Sequence, residues 1–285
     1  MLKADSVIES VNSGLGWPSY QQWRVDRWQG SSLSQFEDFI AEEVPVSLVY
    51  NDIPYVVMLA TPTNLEEFSL GFSITEDIIT NQDELLKTKI YHHTDGIEVR
   101  MTIAEDRFSC LTDKSRNLTG RTGCGLCGAS TLQQAIRTPN PVINQLTVTA
   151  TQLRLALTEL KQKQKLNQLT GAVHAAAWID AKKGIQLVRE DVGRHNALDK
   201  LIGSLLVQDT DLSTGFIVVT SRASYEMVQK TAHVGISILA AISAPTGLAI
   251  RLAKDAGLTL IGFARDKQHV VYSHPNRLIH NASLV

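Results

Sequence analysis

The sequence predicts an α/β protein in two parts. Residues 1–138 read as a smaller α+β unit, and residues 139–285 as a three-layer α/β/α sandwich on a mixed sheet. Three observations carry this. From residue 172 a hairpin pattern gives way to alternating helix-like and strand-like segments, which pack as helices on both faces of a sheet. Upstream, short β-rich runs surround a single helical stretch. Between the two, TPNPVINQ places Pro139 and Pro141 around Asn140, and proline breaks both helix and ladder.

Within the first part, residues 1–35 are polar with scattered aromatics (Trp17, Tyr20, Trp23, Trp28) and read as a strand or arm laid over the body. PVSLVY and IPYVVMLA flank Asn51-Asp52, a hairpin signal. Thr63 or Asn64 can cap a helix over 65–79, whose apolar positions include Leu65, Phe68, Phe72 and Ile78. Short strands follow at 86–92 and 97–103.

In the second part, 149–168 reads as one amphipathic helix with a solvated, lysine-rich carboxyl end. Strands are expected at AVHAAAWID, GIQLVRE, TGFIVVTS, SILAAIS, LTLIGFA and HVVYS. Helices are expected at 194–206, 225–234 and 246–256.

Composition narrows the function. The 285 residues are 44% hydrophobic and 20% charged, ordinary for a globular protein. A formal net charge of -2 gives no support for nucleic-acid or anionic-membrane binding. No apolar run approaches the roughly 20 residues that span a bilayer. Three cysteines, and an amino-terminal stretch without an apolar signal core, lead us to expect a reducing cytoplasm.

Two of those cysteines, Cys124 and Cys127, stand in a C-x-x-C spacing, three positions apart, among the glycines of RTGCGLCGAS. Glycine loses much conformational freedom on ordering, so the run marks backbone that turns sharply or approaches a ligand. Ser130 and Gln133 have capping-box spacing, so a helix is expected to start there. Its positive end and Arg121 would favour thiolate. Three chemistries compete. Zinc needs four ligands, and no second pair stands nearby unless two subunits share a site. A thioredoxin-like dithiol needs a strand before the loop, where 113–120 is polar. A sulfur carrier needs one thiolate that accepts sulfur as a persulfide and releases it. Two inert cysteines in a turn would not explain so many glycines.

Polar residues also gather where the second part's strands end. Arg194 and His195 open a helix, Ser221, Arg222 and Ser224 fill the next turn, and Ser243 and Thr246 a third. Arg265, Lys267 and Gln268 follow LTLIGFA. Ligands of open α/β sheets bind beyond strand carboxyl ends, and helix amino ends attract anions. Caps alone would explain a serine at any one turn. Basic residues at three of four turns point instead to phosphates, such as a nucleotide pyrophosphate. His195 is either a catalytic group or a surface histidine oriented by Asp199, four residues on. His174, in an apolar run, reads as a satisfied core histidine.

Taken in order, GCGLCG, REDVGRHNALDK, SRASYEMVQK and GFARDKQ resemble the formate dehydrogenase accessory sulfurtransferase family (FdhD). The resemblance implies a cytidine-deaminase-like carboxyl-terminal domain. It implies transfer of persulfide sulfur from a cysteine desulfurase to the molybdenum cofactor, Mo-bis(molybdopterin guanine dinucleotide), before insertion into formate dehydrogenase. By the same resemblance Cys124 carries the persulfide, with Cys127 as relay or resolving thiol. Phe263, Ala264, Arg265, Asp266, Lys267 and Gln268 then help to hold the guanine nucleotide, for which GDP is a surrogate. Arg194, His195, Ser221 and Arg222 complete the expected cofactor contacts, and a homodimer is the expected assembly. The zinc deaminase signature is missing from 139–285, so fold kinship would not bring deaminase chemistry.

Overall fold

The computed structural model describes residues 16–115 and 141–280. Strands β1 (Tyr20–Gln29) and β2 (Ser32–Ala41) pair from Tyr20↔Ala41 to Gln29↔Ser32. Gly30 turns the chain at φ +60. Of the expected arm, the described part belongs to a two-stranded ribbon that is largely exposed and touches the body where β2 runs beside residues 165–170.

Strands β3 (Val44–Tyr50) and β4 (Ile53–Ala60) form the expected hairpin. Asn51 and Asp52 have φ 44 and 64, the left-handed pair that a type I′ turn requires. Helix α1 (Leu65–Thr75) starts after Asn64, whose side chain makes no cap bond. It ends four residues before the sequence pattern does. Asp77 turns left-handed at φ 56, and the Ile78 N–H reaches back to the Ser73 carbonyl. Strands β5 (Leu85–His93) and β6 (Gly96–Ile103) complete a sheet ordered β4-β3-β6-β5, followed by α2 (Glu105–Ser115). Alternate residues Val44, Val46, Leu48, Ile97, Val99 and Met101 are buried against Leu65, Phe68 and Phe72 of α1.

In the second half β7 (Val148–Thr149) leads into α3 (Ala150–Lys163), opened by a Thr149–Gln152 capping box. The single helix expected over 149–168 is in fact broken at Gln164 and restarts as α4 (Lys165–Thr170). The Glu190 carboxylate accepts the Leu166 and Asn167 N–H groups at 2.9 Å each and so caps the new start. Then come β8 (His174–Asp180), β9 (Gly184–Asp191), α5 (Arg194–Val207), β10 (Gly215–Val219), α6 (Tyr225–His233), β11 (Ile238–Ala241), α7 (Gly247–Asp255), β12 (Thr259–Arg265) and β13 (Gln268–Val271). A short β14 (Leu278–Ile279) returns to pair with β7.

The main sheet runs β13-β12-β11-β10-β8-β9, with β10, β11 and β12 parallel and the other neighbours antiparallel. One face packs Ala177, Ile179, Phe216, Val218 and Ile238 on Leu153, Leu157 and Leu160 of α3. The other packs Trp178, Ile217, Val219, Leu239 and Leu260 on α5, α6 and α7. Helices thus cover both faces of a mixed sheet. The two halves meet where α1 crosses α5. A Cβ on Gly71 would come 1.9 Å from the Asp199 carbonyl oxygen, and one on Gly203 1.8 Å from that of Glu67. Only glycine allows these backbones so close. No helix among the described residues is long and apolar enough to cross a membrane.

Candidate functional site at the carboxyl ends of the strands

Because β8 is antiparallel to both β9 and β10, strands β9 to β12 end at one edge of the sheet, where β8 begins. The turns there are tied together. Ala223 and Pro245 form a parallel bridge, and the Thr246 N–H donates to the Ala223 carbonyl at 3.1 Å. The Phe263 N–H donates to the Ser243 carbonyl at 3.2 Å. Gly262 permits this approach, since a Cβ there would lie 2.7 Å from Pro245 Cδ and 2.9 Å from the Tyr272 ring. Neighbouring strands are about 4.8 Å apart, so the turns after β10 and β12 lie roughly 10 Å apart, within one ligand's reach.

Arg194 and His195 form the first turn of α5, which follows Gly193 with no side-chain cap and no acidic residue. The Asp191 carboxylate accepts the Gly193 N–H at 2.8 Å and is the side chain that meets this helix start. His195 Nε2 lies 2.8 Å from Glu226 Oε2 and 3.4 Å from Ser224 Oγ. This corrects the sequence reading in which Asp199 orients His195. Asp199 is buried and bound to Lys230 and Thr75. Ser224 is the first residue before α6 yet makes no cap bond. Ser221 is buried and donates its hydroxyl to the Arg222 carbonyl at 2.9 Å, so it shapes the turn, while the Arg222 side chain is exposed. Thr246 does cap α7, accepting from the Ala249 N–H at 3.3 Å. Capping thus accounts for Thr246 and leaves Ser224 to other work.

Along β12, Phe263 is left-handed at φ 49, and the pairing with β13 shifts between Gly262 and Arg265. Ala264 is buried on the α3 face, so it can offer a ligand only backbone. Arg265 pairs with Gln268, which leaves Asp266-Lys267 as the hairpin tip. Residues 265–268 are all exposed, and Asp266 meets Lys161 at 3.2 Å. The structure therefore gathers Arg194, His195, Ser221, Arg222 and 263–268 along one edge.

His174 is not the buried core histidine expected. It sits half-buried at the start of β8, opposite Asp191. Burial and then the Arg194 charge push its pKa below the ordinary histidine value, and Asp191 partly opposes them. Glu226 escaped the sequence reading because, four residues before Lys230, it looks like one half of a surface pair. Lys230 in fact turns inward. Arg121, Cys124 and Cys127 lie outside the described residues, and Cys110 on α2 is exposed. No group of three metal-ligating side chains occurs among the described residues.

Fold and edge together define a mixed-sheet α/β protein whose strand ends suit an anionic ligand. Residues 41–279 match the model of the FdhD/NarQ family, and the chain belongs to that family. It is 51% identical over 267 residues to a protein of Cupriavidus necator named sulfur carrier protein FdhD, covering 94% of this chain and 93% of that one. A protein of the same name from Xanthomonas euvesicatoria pv. vesicatoria is 50% identical over 254 residues, 89% of this chain and 90% of the relative. A crystal structure of a formate dehydrogenase accessory protein from Desulfotalea psychrophila superimposes with TM-score 0.71 at 22% identity. That match covers 92% of this chain and all of the other, and it supports the fold alone.

Proposed function

We propose that this protein is a sulfur carrier in formate dehydrogenase maturation. The observation that carries this is half-identity over nearly the whole chain to relatives named sulfur carrier protein, together with the glycine-flanked thiol pair. The Cys124 thiolate attacks the outer sulfur of a cysteine desulfurase persulfide. The donor's S–S bond breaks, its cysteine leaves as thiolate, and Cys124 becomes the persulfide. That outer sulfur would pass to the molybdenum of Mo-bis(molybdopterin guanine dinucleotide), the cargo, before the cofactor enters formate dehydrogenase. The Cys124 S–S bond breaks, Cys124 leaves as thiolate, and the reduced metal of the cargo supplies the two electrons that take the sulfur to the sulfide level. Cys127 either relays the sulfur or closes a disulfide with Cys124 and expels sulfide.

The cargo's guanine nucleotides sit along the strand-end edge, held by Arg194, His195, Arg222 and the 263–268 segment, with GDP as surrogate. The exposed Arg222 and Arg265 side chains, the absence of acidic residues from the first turn of α5 and the tied turns support this placement. The sandwich, residues 139–285, is a cytidine-deaminase-like domain joined to the 1–138 unit, and the protein acts as a cytoplasmic homodimer. A host whose own copy is replaced by Cys124→Ala should lose formate dehydrogenase activity while the variant accumulates normally. Unimpaired activity would contradict the carrier role.

A further inference from the structure

We propose that Glu226 positions His195 so that its second ring nitrogen, once protonated, donates to a phosphate of the bound nucleotide, coupling binding to the uptake of a proton. The inference rests on the nucleotide placement above and adds a residue, Glu226, and a pH dependence to it.

His195 and Glu226 side chains are only 13% and 16% exposed, and Nε2 is 2.8 Å from the carboxylate. A carboxylate only accepts, so Nε2 carries a proton and the ring is fixed. Nδ1 has no hydrogen-bond partner among the described residues, and it is not among the buried orphaned atoms. It is the nitrogen left for a ligand. Nearby, Arg194 Nε is buried without a partner among the described residues, a donor whose desolvation nothing yet offsets. Both nitrogens belong to the first turn of α5, the turn at which the nucleotide placement puts an anion.

The groups facing this position are Arg194 on α5, His174 on β8, Asp191 at the end of β9, and Ser224 and Glu226 on α6. A neutral Nδ1 would turn its lone pair against a phosphate oxygen, which repels it. An imidazolium between the Glu226 carboxylate and the phosphate is attracted from both sides. The proton comes from solvent. By linkage, phosphate binding favours the protonated ring, and affinity falls as pH rises.

Calorimetry of GDP binding to the full chain, in buffers of different ionisation enthalpy between pH 6.5 and 8.5, reads the proton uptake directly. Wild type should take up as much as one proton per GDP, with affinity falling at most about tenfold per pH unit. His195→Gln should abolish that uptake, and Glu226→Gln should reduce it and weaken the pH dependence. His174→Gln should retain it. The titration of GDP itself is common to all four proteins and cancels in the differences. Nitrogen chemical shifts of His195 in the unaltered protein should show Nε2–H in the free state and protonation of Nδ1 on adding GDP. GDP bound with no uptake, equal uptake in His195→Gln, or an Nδ1–H free tautomer would overturn this inference alone. No GDP binding to wild type would overturn the nucleotide placement as well.

Discussion

Asp191, Asn196, Asp199 and Lys200 give the segment REDVGRHNALDK much of its polarity, yet all four are buried. Lys200 Nζ meets Asp191 at 2.6 Å and donates to the Thr61 carbonyl, while Asn196 Nδ2 donates to the Leu59 carbonyl. Lys230 donates to Asp199, Glu76 and Thr75. Burial alone would lower its pKa, but Asp199 and Glu76 outweigh burial and hold it well up. These residues join the halves, so their polarity was legible in the sequence but their partners in the first half, Leu59, Thr61, Thr75 and Glu76, more than a hundred positions away, were not. His174 supplies a test at this scale. Its folded pKa lies below the ordinary histidine value near 6.5, because of burial and Arg194. The unfolded chain therefore binds more protons in that window, and stability falls as pH drops through about 6.5. Urea midpoints should decline less between pH 7 and pH 5 for His174→Gln than for wild type. An equal decline would show that His174 does not carry this dependence.

At the scale of elements, local chemistry decided what could be read. Asn51-Asp52 announces the β3–β4 turn because both residues tolerate left-handed backbone. The β1–β2 ribbon escaped because both of its faces are mostly exposed and mix aromatics with charges, so no period-2 pattern marks it. The break between α3 and α4 escaped because its cause, Glu190, comes from a strand 24 residues away. The α1–α5 crossing gives the prediction here. Gly203→Ala gains up to about 1 kcal/mol of helix propensity. The new Cβ would nonetheless lie 1.8 Å from a backbone oxygen, and forced repacking costs typically about 1–3 kcal/mol. The variant should be less stable by urea denaturation, and an unchanged or raised midpoint would mean that the two helices part easily.

For the whole molecule, two cores are clamped through α1 and α5, and the strand ends of the larger sheet gather Arg194, Arg222 and Arg265 along one edge. The alternation of strands and helices revealed the sheet, and basic residues at successive turns revealed its edge. What sequence patterns could not show is which polar groups face outward. Ser221 turns inward, whereas Ser224 and Glu226 bracket His195. The proposed function turns on sulfur travelling on Cys124. Intact-protein and peptide mass spectrometry, after incubation with a cysteine desulfurase and cysteine, tests it most directly. One added sulfur is expected on the peptide bearing Cys124, removable by a thiol reductant and lost in Cys124→Ala. No added sulfur on that peptide, or stoichiometric zinc held by Cys124 and Cys127, would contradict it.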